Sequence, residues 1–216
     1  MTYLQLINGV LTRLREDTIT GLVGTTDTVA LLVAEFVNDA KETVEQSHDW
    51  NALRFTWTFN TSAGTDTYAL TGSQQGDNIE LVSNDTTNVL LKQTTPYAIR
   101  RKGIISSSNA EPSLFAINGV DGSGDTQIKL HPTPDQSYSI IVDGYKKQAA
   151  LSADTDTLLV PSKPVIYMAL AMAARERGEV GGQTAAELFR LAGQYLSDAI
   201  AIDASRSPLE NVFFVS

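Results

Sequence analysis

WNALRFTWTF, residues 50–59, is where the chain changes character. Upstream of it, apolar residues recur at steps of three and four; from Arg54 onward they alternate, with Phe55, Trp57 and Phe59 on one side and Arg54, Thr56, Thr58 and Asn60 on the other. The first period belongs to a helix and the second to a strand, so a helical segment hands over to a β-domain here. The aromatic alternation predicts a half-buried strand. With Trp50, these rings are expected to make a hydrophobic junction between helices and sheet, in preference to a platform for stacking bases or sugars.

Working back from this point, Leu4, Ile7, Leu11 and Leu14 mark one face of a first helix, and Thr2 and Gln5 stand at capping-box spacing before it. A Gly- and Thr-rich loop, DTITGLVGTTD, follows, and Asp27 is placed to cap a second helix over residues 28–47. That helix carries Val29, Leu32, Val33, Phe36, Val37, Ala40 and Val44 on one side and an acidic outer face.

Working forward, short strands are predicted at 67–70, 79–83, 89–93, 113–117, 127–131 and 138–146, separated by turn residues such as Ala63-Gly64, Asn84-Asp85, DGSGD and Pro134-Asp135. So many short strands without a helical pattern between them predict an antiparallel sandwich or barrel-like domain. The helical period returns after SADTDTLLVPSKP, where prolines 161 and 164 suit the start of a helix, and VIYMALAMAARERGE is rich enough in small residues for close helix packing. Gly181-Gly182 interrupts the pattern, Thr184 and Glu187 form a second capping box, and a last helix follows. Its first apolar face reads Leu188, Leu191, Tyr195, Ala199 and Ile202, and a second reads Phe189, Ala192, Leu196 and Ile200. A surface helix needs one stripe; two imply burial in a bundle or contact with another subunit, with Leu188, Phe189, Ala192, Tyr195, Leu196 and Ile200 as the interface candidates.

The expected fold class is therefore α+β. A four-helix bundle is made from the N- and C-terminal helices, an antiparallel β-sandwich or barrel-like domain is inserted into it, and an extended C-terminal arm follows. The expected boundaries are 1–50 and 151–205 for the helical pairs, 51–150 for the β-domain and 206–216 for the arm. The arm, RSPLENVFFVS, concentrates Leu209, Val212, Phe213, Phe214 and Val215 where chain ends are ordinarily polar. Either it completes the chain's own fold as a strand, or it docks on a partner.

With 216 residues, 42% hydrophobic and 19% charged, the composition is that of a globular chain with a sizeable core. There is no cysteine, hence no disulfide, thiolate metal site or thiol nucleophile. The first residues lack the basic start and continuous apolar core of a signal peptide, and VALLVAEFV is too short and too charged to span a membrane. The net charge of −9 is concentrated at the two ends: residues 1–50 hold three basic against eight acidic residues, 51–150 eight against nine, and 151–216 five against eight. Tight sequence-independent DNA binding needs the opposite balance.

No catalytic motif emerges. The two histidines, His48 and His131, stand apart from any second ligand or nucleophile, and H-E-x-x-H, the Walker A loop and G-x-S-x-G are absent. DGSGD has alternating oxygen ligands, but Pro132 falls where the closing glutamate of an EF-hand belongs, so a hairpin turn is expected. Arg100-Arg101-Lys102 and Lys146-Lys147 are expected in or beside strands, as solvated sheet edges or contacts for phosphate or an acidic partner. Neither enzyme activity nor a cofactor is expected. The competing reading is a carbohydrate- or receptor-binding module using tyrosines such as Tyr68, Tyr97 and Tyr138.

Taken in order, LINGVLTRLREDTI, LVAEFVNDAKETVEQSHDWNALR, GTDTYAL, DNIELV, EPSLFAI, IKLHPTPDQSYSIIVDGYKK and LLVPSKPVIYMALAMAARERGE resemble the bacteriophage head-to-tail adaptors, the ring beneath the portal of tailed phages. The resemblance covers most of the chain. It implies a non-enzymatic structural protein of the virion, assembled in the host cytoplasm as a dodecameric ring. Such a ring joins portal to tail or nozzle protein and surrounds a channel for genomic double-stranded DNA, which passes without specific binding. It also implies that the arm reaches the portal or a neighbouring subunit, burying Leu209, Val212, Phe213, Phe214 and Val215.

Overall fold

A computed structural model describes residues 1–74, 76–105, 108–178 and 183–206. The chain divides into two compact units: Met1–Leu53 with Gln148–Ser216, and Arg54–Lys147.

The first unit is helical. Helix α1 (Tyr3–Arg13) starts from the expected capping box, the Thr2 hydroxyl accepting from the Gln5 amide and the Gln5 side chain accepting from the Thr2 amide. Its buried face is Tyr3, Leu6, Ile7, Val10 and Leu11, one step round from the Leu4–Leu14 stripe read from the sequence. Helix α2 (Thr28–Gln46) is capped by Asp27, whose carboxylate accepts from the amides of Val29 and Ala30. Val33, Val37, Ala40 and Val44 are buried as expected, while Leu32 faces outward. A single 3₁₀ turn, Asn51–Leu53, ends the segment.

Helix α4 (Ser162–Glu176) places Pro164 in its first turn, where a missing N–H costs no hydrogen bond. It stops at Arg177 and Gly178, whose φ of +63° is the left-handed conformation that closes many helices. Helix α5 (Gln183–Ala204) begins one residue before Thr184, which therefore lies within the helix and not at its N-cap. Helix α4 is the hub: α1, α2 and α5 each pack on it, and α1 also packs on α2. Ala169, Ala173 and Ala174 leave room for that close approach.

The second unit holds strands β1 (Arg54–Asn60), β2 (Thr67–Ala69), β3 (Asn78–Asn84), β4 (Val89–Leu90), β5 (Lys92–Gln93), β6 (Leu114–Val120), β7 (Thr126–His131) and β8 (Ser139–Tyr145), with helix α3 (Pro96–Ile105) between β5 and β6. They form two open four-stranded sheets, β1-β8-β3-β4 and β2-β7-β6-β5, so there is no closed barrel. The sheets are not purely antiparallel, because β5 runs parallel to β6. The single strand expected at 89–93 is two: the chain crosses from one sheet to the other at the buried Leu91. Trp57, Val82, Ile140 and Val142 of the first sheet share one core with Leu70, Phe115, Ile128 and Leu130 of the second side.

The expected aromatic alternation is only partly internal. Trp57 is buried in this core, whereas Phe55 is exposed, its ring 4.9 Å from the Lys146 ammonium, and Phe59 stacks on Tyr68 at 5.0 Å. Strand β1 lies at a sheet edge, where flanking rings are covered by neighbouring side chains and not by a second layer. Trp50 belongs instead to the core of the helical unit.

Candidate interaction surface at the end of the last helix

Helix α5 lays one stripe on α4. Ala185, Ala192 and Asp203 are buried, and Leu188, Leu196, Ala199 and Ile200 pack partly buried against the helical core, all at steps of three and four. This stripe draws on both apolar faces read from the sequence, which are two flanks of one wide face centred on Ala192. Phe189, Leu191 and Tyr195 are half-buried at its margins, and Ile202 is 57% exposed.

The C-terminal end of α5 is fixed by a buried carboxylate. Asp203 Oδ2 accepts from the Asn51 backbone amide at 3.0 Å and from its side-chain amide at 3.1 Å, and stands 3.3 Å from His48 Nε2. The His48 ring meets Trp50 edge-on at 5.0 Å, and Trp50 Nε1 donates to the Val44 carbonyl at the end of α2. His48 thus has an acidic partner, but that partner is Asp203, 155 positions along the chain, and not the adjacent Asp49.

Beside this anchor, the start of α4 and the end of α5 bound a cleft of about 520 Å³. Pro161, Lys163 and Pro164 form one wall, and Tyr195, Ile202 and Arg206 are on the other. The Lys163 ammonium lies 5.6 Å from the centre of the Tyr195 ring, which meets Tyr167 at 4.8 Å, and the Arg13 guanidinium covers Tyr167 at 5.4 Å. The cleft combines apolar walls with charges of both signs, Lys163 and Arg206 against Asp198 and Asp203. Leu209, Val212, Phe213, Phe214 and Val215 lie outside the described residues.

Other expected features find structural roles. In DGSGD the Asp121 carboxylate accepts from the amides of Ser123 and Asp125, and Gly124 has φ of +90°, so the loop is a turn held by its own aspartate. Among the described residues no group of three His, Cys, Asp or Glu side chains could hold a metal ion. Burial and the nearby Lys102 hold the His131 imidazole below its ordinary range. Tyr138 is buried and donates to Asp135, and the Tyr68 hydroxyl is committed to Ser62 and Thr65, which leaves only Tyr97 of the three suggested tyrosines open to a glycan. No described helix is long and apolar enough to cross a membrane.

Two features escaped the sequence reading. Arg100, Arg101 and Lys102 lie on helix α3 and not on a strand; the signal was Thr95-Pro96, an N-cap followed by proline at the first helical position, with the Thr95 hydroxyl accepting from the Ala98 amide. The other is a buried ion pair on α2, Lys41 with Glu45 at 3.3 Å, whose ammonium also donates to the Gln148 carbonyl at 2.6 Å. Only the spacing of four residues hinted at it.

Comparison with curated proteins finds no match. Residues 1–211 match the family described as SU10 adaptor protein, which covers every element above and reaches into the arm. The chain belongs to the SU10 adaptor protein family, a phage head-to-tail adaptor family.

Proposed function

We propose that this protein is a non-enzymatic structural component of a tailed-phage virion, assembled in the host cytoplasm as a dodecameric ring that joins the portal to a tail or nozzle protein. The family match over residues 1–211 carries the reading. In it, helices α1, α2, α4 and α5 serve as one four-helix bundle (1–50 and 151–205), the strands (51–150) as an inserted domain, and 206–216 as the arm. Genomic double-stranded DNA passes through the ring without specific binding, which the net charge of −9 favours, since an acidic lining repels phosphate.

The arm buries Leu209, Val212, Phe213, Phe214 and Val215 in the portal or a neighbouring subunit. The cleft that Arg206 lines supports this reading, because it offers apolar contacts and charges of both signs where the chain leaves α5. Leu188, Ala192, Leu196 and Ile200 hold the bundle together; Phe189 and Tyr195, half-buried at its margin, are the residues left to meet a second subunit. Capture by the portal ring of the same genome tests the assignment, with the full chain compared with one ending at Ser207. Capture lost on truncation is the expected result; capture of neither form refutes the adaptor role.

A further inference from the structure

Helix α3 buries little of itself. Of its residues only Ile99 is buried, while Tyr97, Ile104 and Ile105 are 79%, 81% and 79% exposed. Tyr97, Arg101, Ile104 and Ile105 fall at helical steps of four, three and one, which gathers them on one side. Arg100 and Lys102 flank that side, and the helix holds no acidic residue. Large apolar side chains clustered in water mark a surface that another molecule covers, and the cations around them select an acidic one.

The chain itself carries such a surface. On α2, Leu31 and Leu32 are 44% and 42% exposed, and Glu35, Asp39 and Glu42 continue the same outer stripe at steps of four and three. Lys41, the one cation of α2, is turned inward onto Glu45 and leaves the stripe uniformly acidic. At a rise of 1.5 Å per residue the α2 stripe is about 16 Å long and the α3 stripe about 12 Å, so the α3 stripe fits within that of α2.

We propose that α3 of one copy docks on the outer face of α2 of a second copy. With the two helices antiparallel, Ile104 and Ile105 cover Leu31 and Leu32, Arg100, Arg101 and Lys102 face Glu35 and Asp39, and Tyr97 lies over the stripe near Asp39. The two halves differ, so the contact is heterologous: every copy offers both, and the arrangement propagates from copy to copy, as a closed ring requires. The inference rests on the ring reading only in that copies associate.

Because the chain has no cysteine, single thiols report the contact. A Leu32→Cys chain and an Ile104→Cys chain, mixed and treated with a short bis-maleimide, are expected to give the mixed dimer several-fold in excess of either homodimer. Arg101→Glu in the second chain should abolish the excess, and Glu35→Lys in the first should restore it, since the pairing of signs has been swapped; high salt should weaken it. A mixed yield no greater than the homotypic yields overturns the proposal, as does a chain carrying both cysteines that closes on itself at monomer mass. Mass photometry of the complete protein separates this from the ring reading. A ring that survives Arg101→Glu unchanged overturns this interface alone, whereas a chain that neither assembles nor binds the portal, and gives no mixed dimer, removes both.

Discussion

Removing Lys41 tests how the helical unit is held together. Its ammonium lies 3.3 Å from both Glu45 oxygens and 2.6 Å from the Gln148 carbonyl, and the pair is almost wholly buried. Lys41→Met keeps most of the aliphatic stem, so the expected loss is electrostatic: a buried carboxylate deprived of its counter-charge, about 3–5 kcal/mol. For a chain of this size that lowers the unfolding midpoint by about 6–20 °C, at about 2–4 °C per kcal/mol. Lys41→Met with Glu45→Leu removes both charges and should recover most of the loss, short of what the Gln148 carbonyl and the remaining contact of Glu45 forfeit. Urea denaturation followed by Trp50 fluorescence in a Trp57→Phe background reads the helical unit selectively, because Trp50 lies in its core. A cost below about 1 kcal/mol for Lys41→Met, or a double variant as unstable as the single one, would refute this role for the ion pair.

Three further outcomes are expected. The Tyr3 phenol donates to the Ala34 carbonyl, and burial, with the Glu35 charge, pushes its pKa from 10.0 up to about 12; the stability this gives is complete below pH 10 and lost as pH rises toward 12, and Tyr3→Phe should flatten alkaline denaturation curves in that window. Trp57→Phe should be close to neutral in calorimetry, because the Trp57 Nε1 donor is buried without a partner and its removal offsets lost packing, whereas Trp50→Phe forfeits the bond to Val44 and should cost about 1–3 kcal/mol more. Gly144→Ala should destabilise the sheet unit by several kcal/mol, since an added Cβ would collide with the Asn78 carbonyl oxygen on the neighbouring β3; an unchanged melting temperature would contradict that close approach.

What could be read from the sequence was what neighbours along the chain decide. Thr2 with Gln5, Asp27 before α2, and the change of period at Arg54 act within a few residues and appear in the structure where they were expected. Leu91 shows where local reading stops. Five residues with strand propensity looked like one strand, but Val89 pairs with Asn84 and Lys92 with Leu114, so the break is imposed by two different partners. Helix α3 was missed because its few apolar residues are split between the buried Ile99 and the exposed Tyr97, Ile104 and Ile105, so no single inward stripe marks it. In α5 the apolar pattern was legible and its orientation was not: the stripe on α4 is fixed partly by Asp203, whose partner Asn51 is 152 residues away.

The polar ties of the helical unit share a geometry that explains why it tolerates an insertion. Asn38 donates to the Leu151 carbonyl and accepts from the Leu151 amide, Lys41 holds the Gln148 carbonyl, and Asp154 accepts from the Leu22 amide. Tyr3 donates through its amide to Asp156, and Leu158 donates to Met1. Each bond joins a residue before the sheet unit to one after it. Within the sheet unit, Arg54 and Tyr145 are paired partners at the ends of β1 and β8, so its entering and leaving segments are also held side by side. Loop-closure entropy grows only logarithmically with length, so the cost of bringing residues 38 and 151 together depends little on what lies between them. A discontinuous unit stitched at its own seam therefore depends little on the length of the segment inserted between its halves.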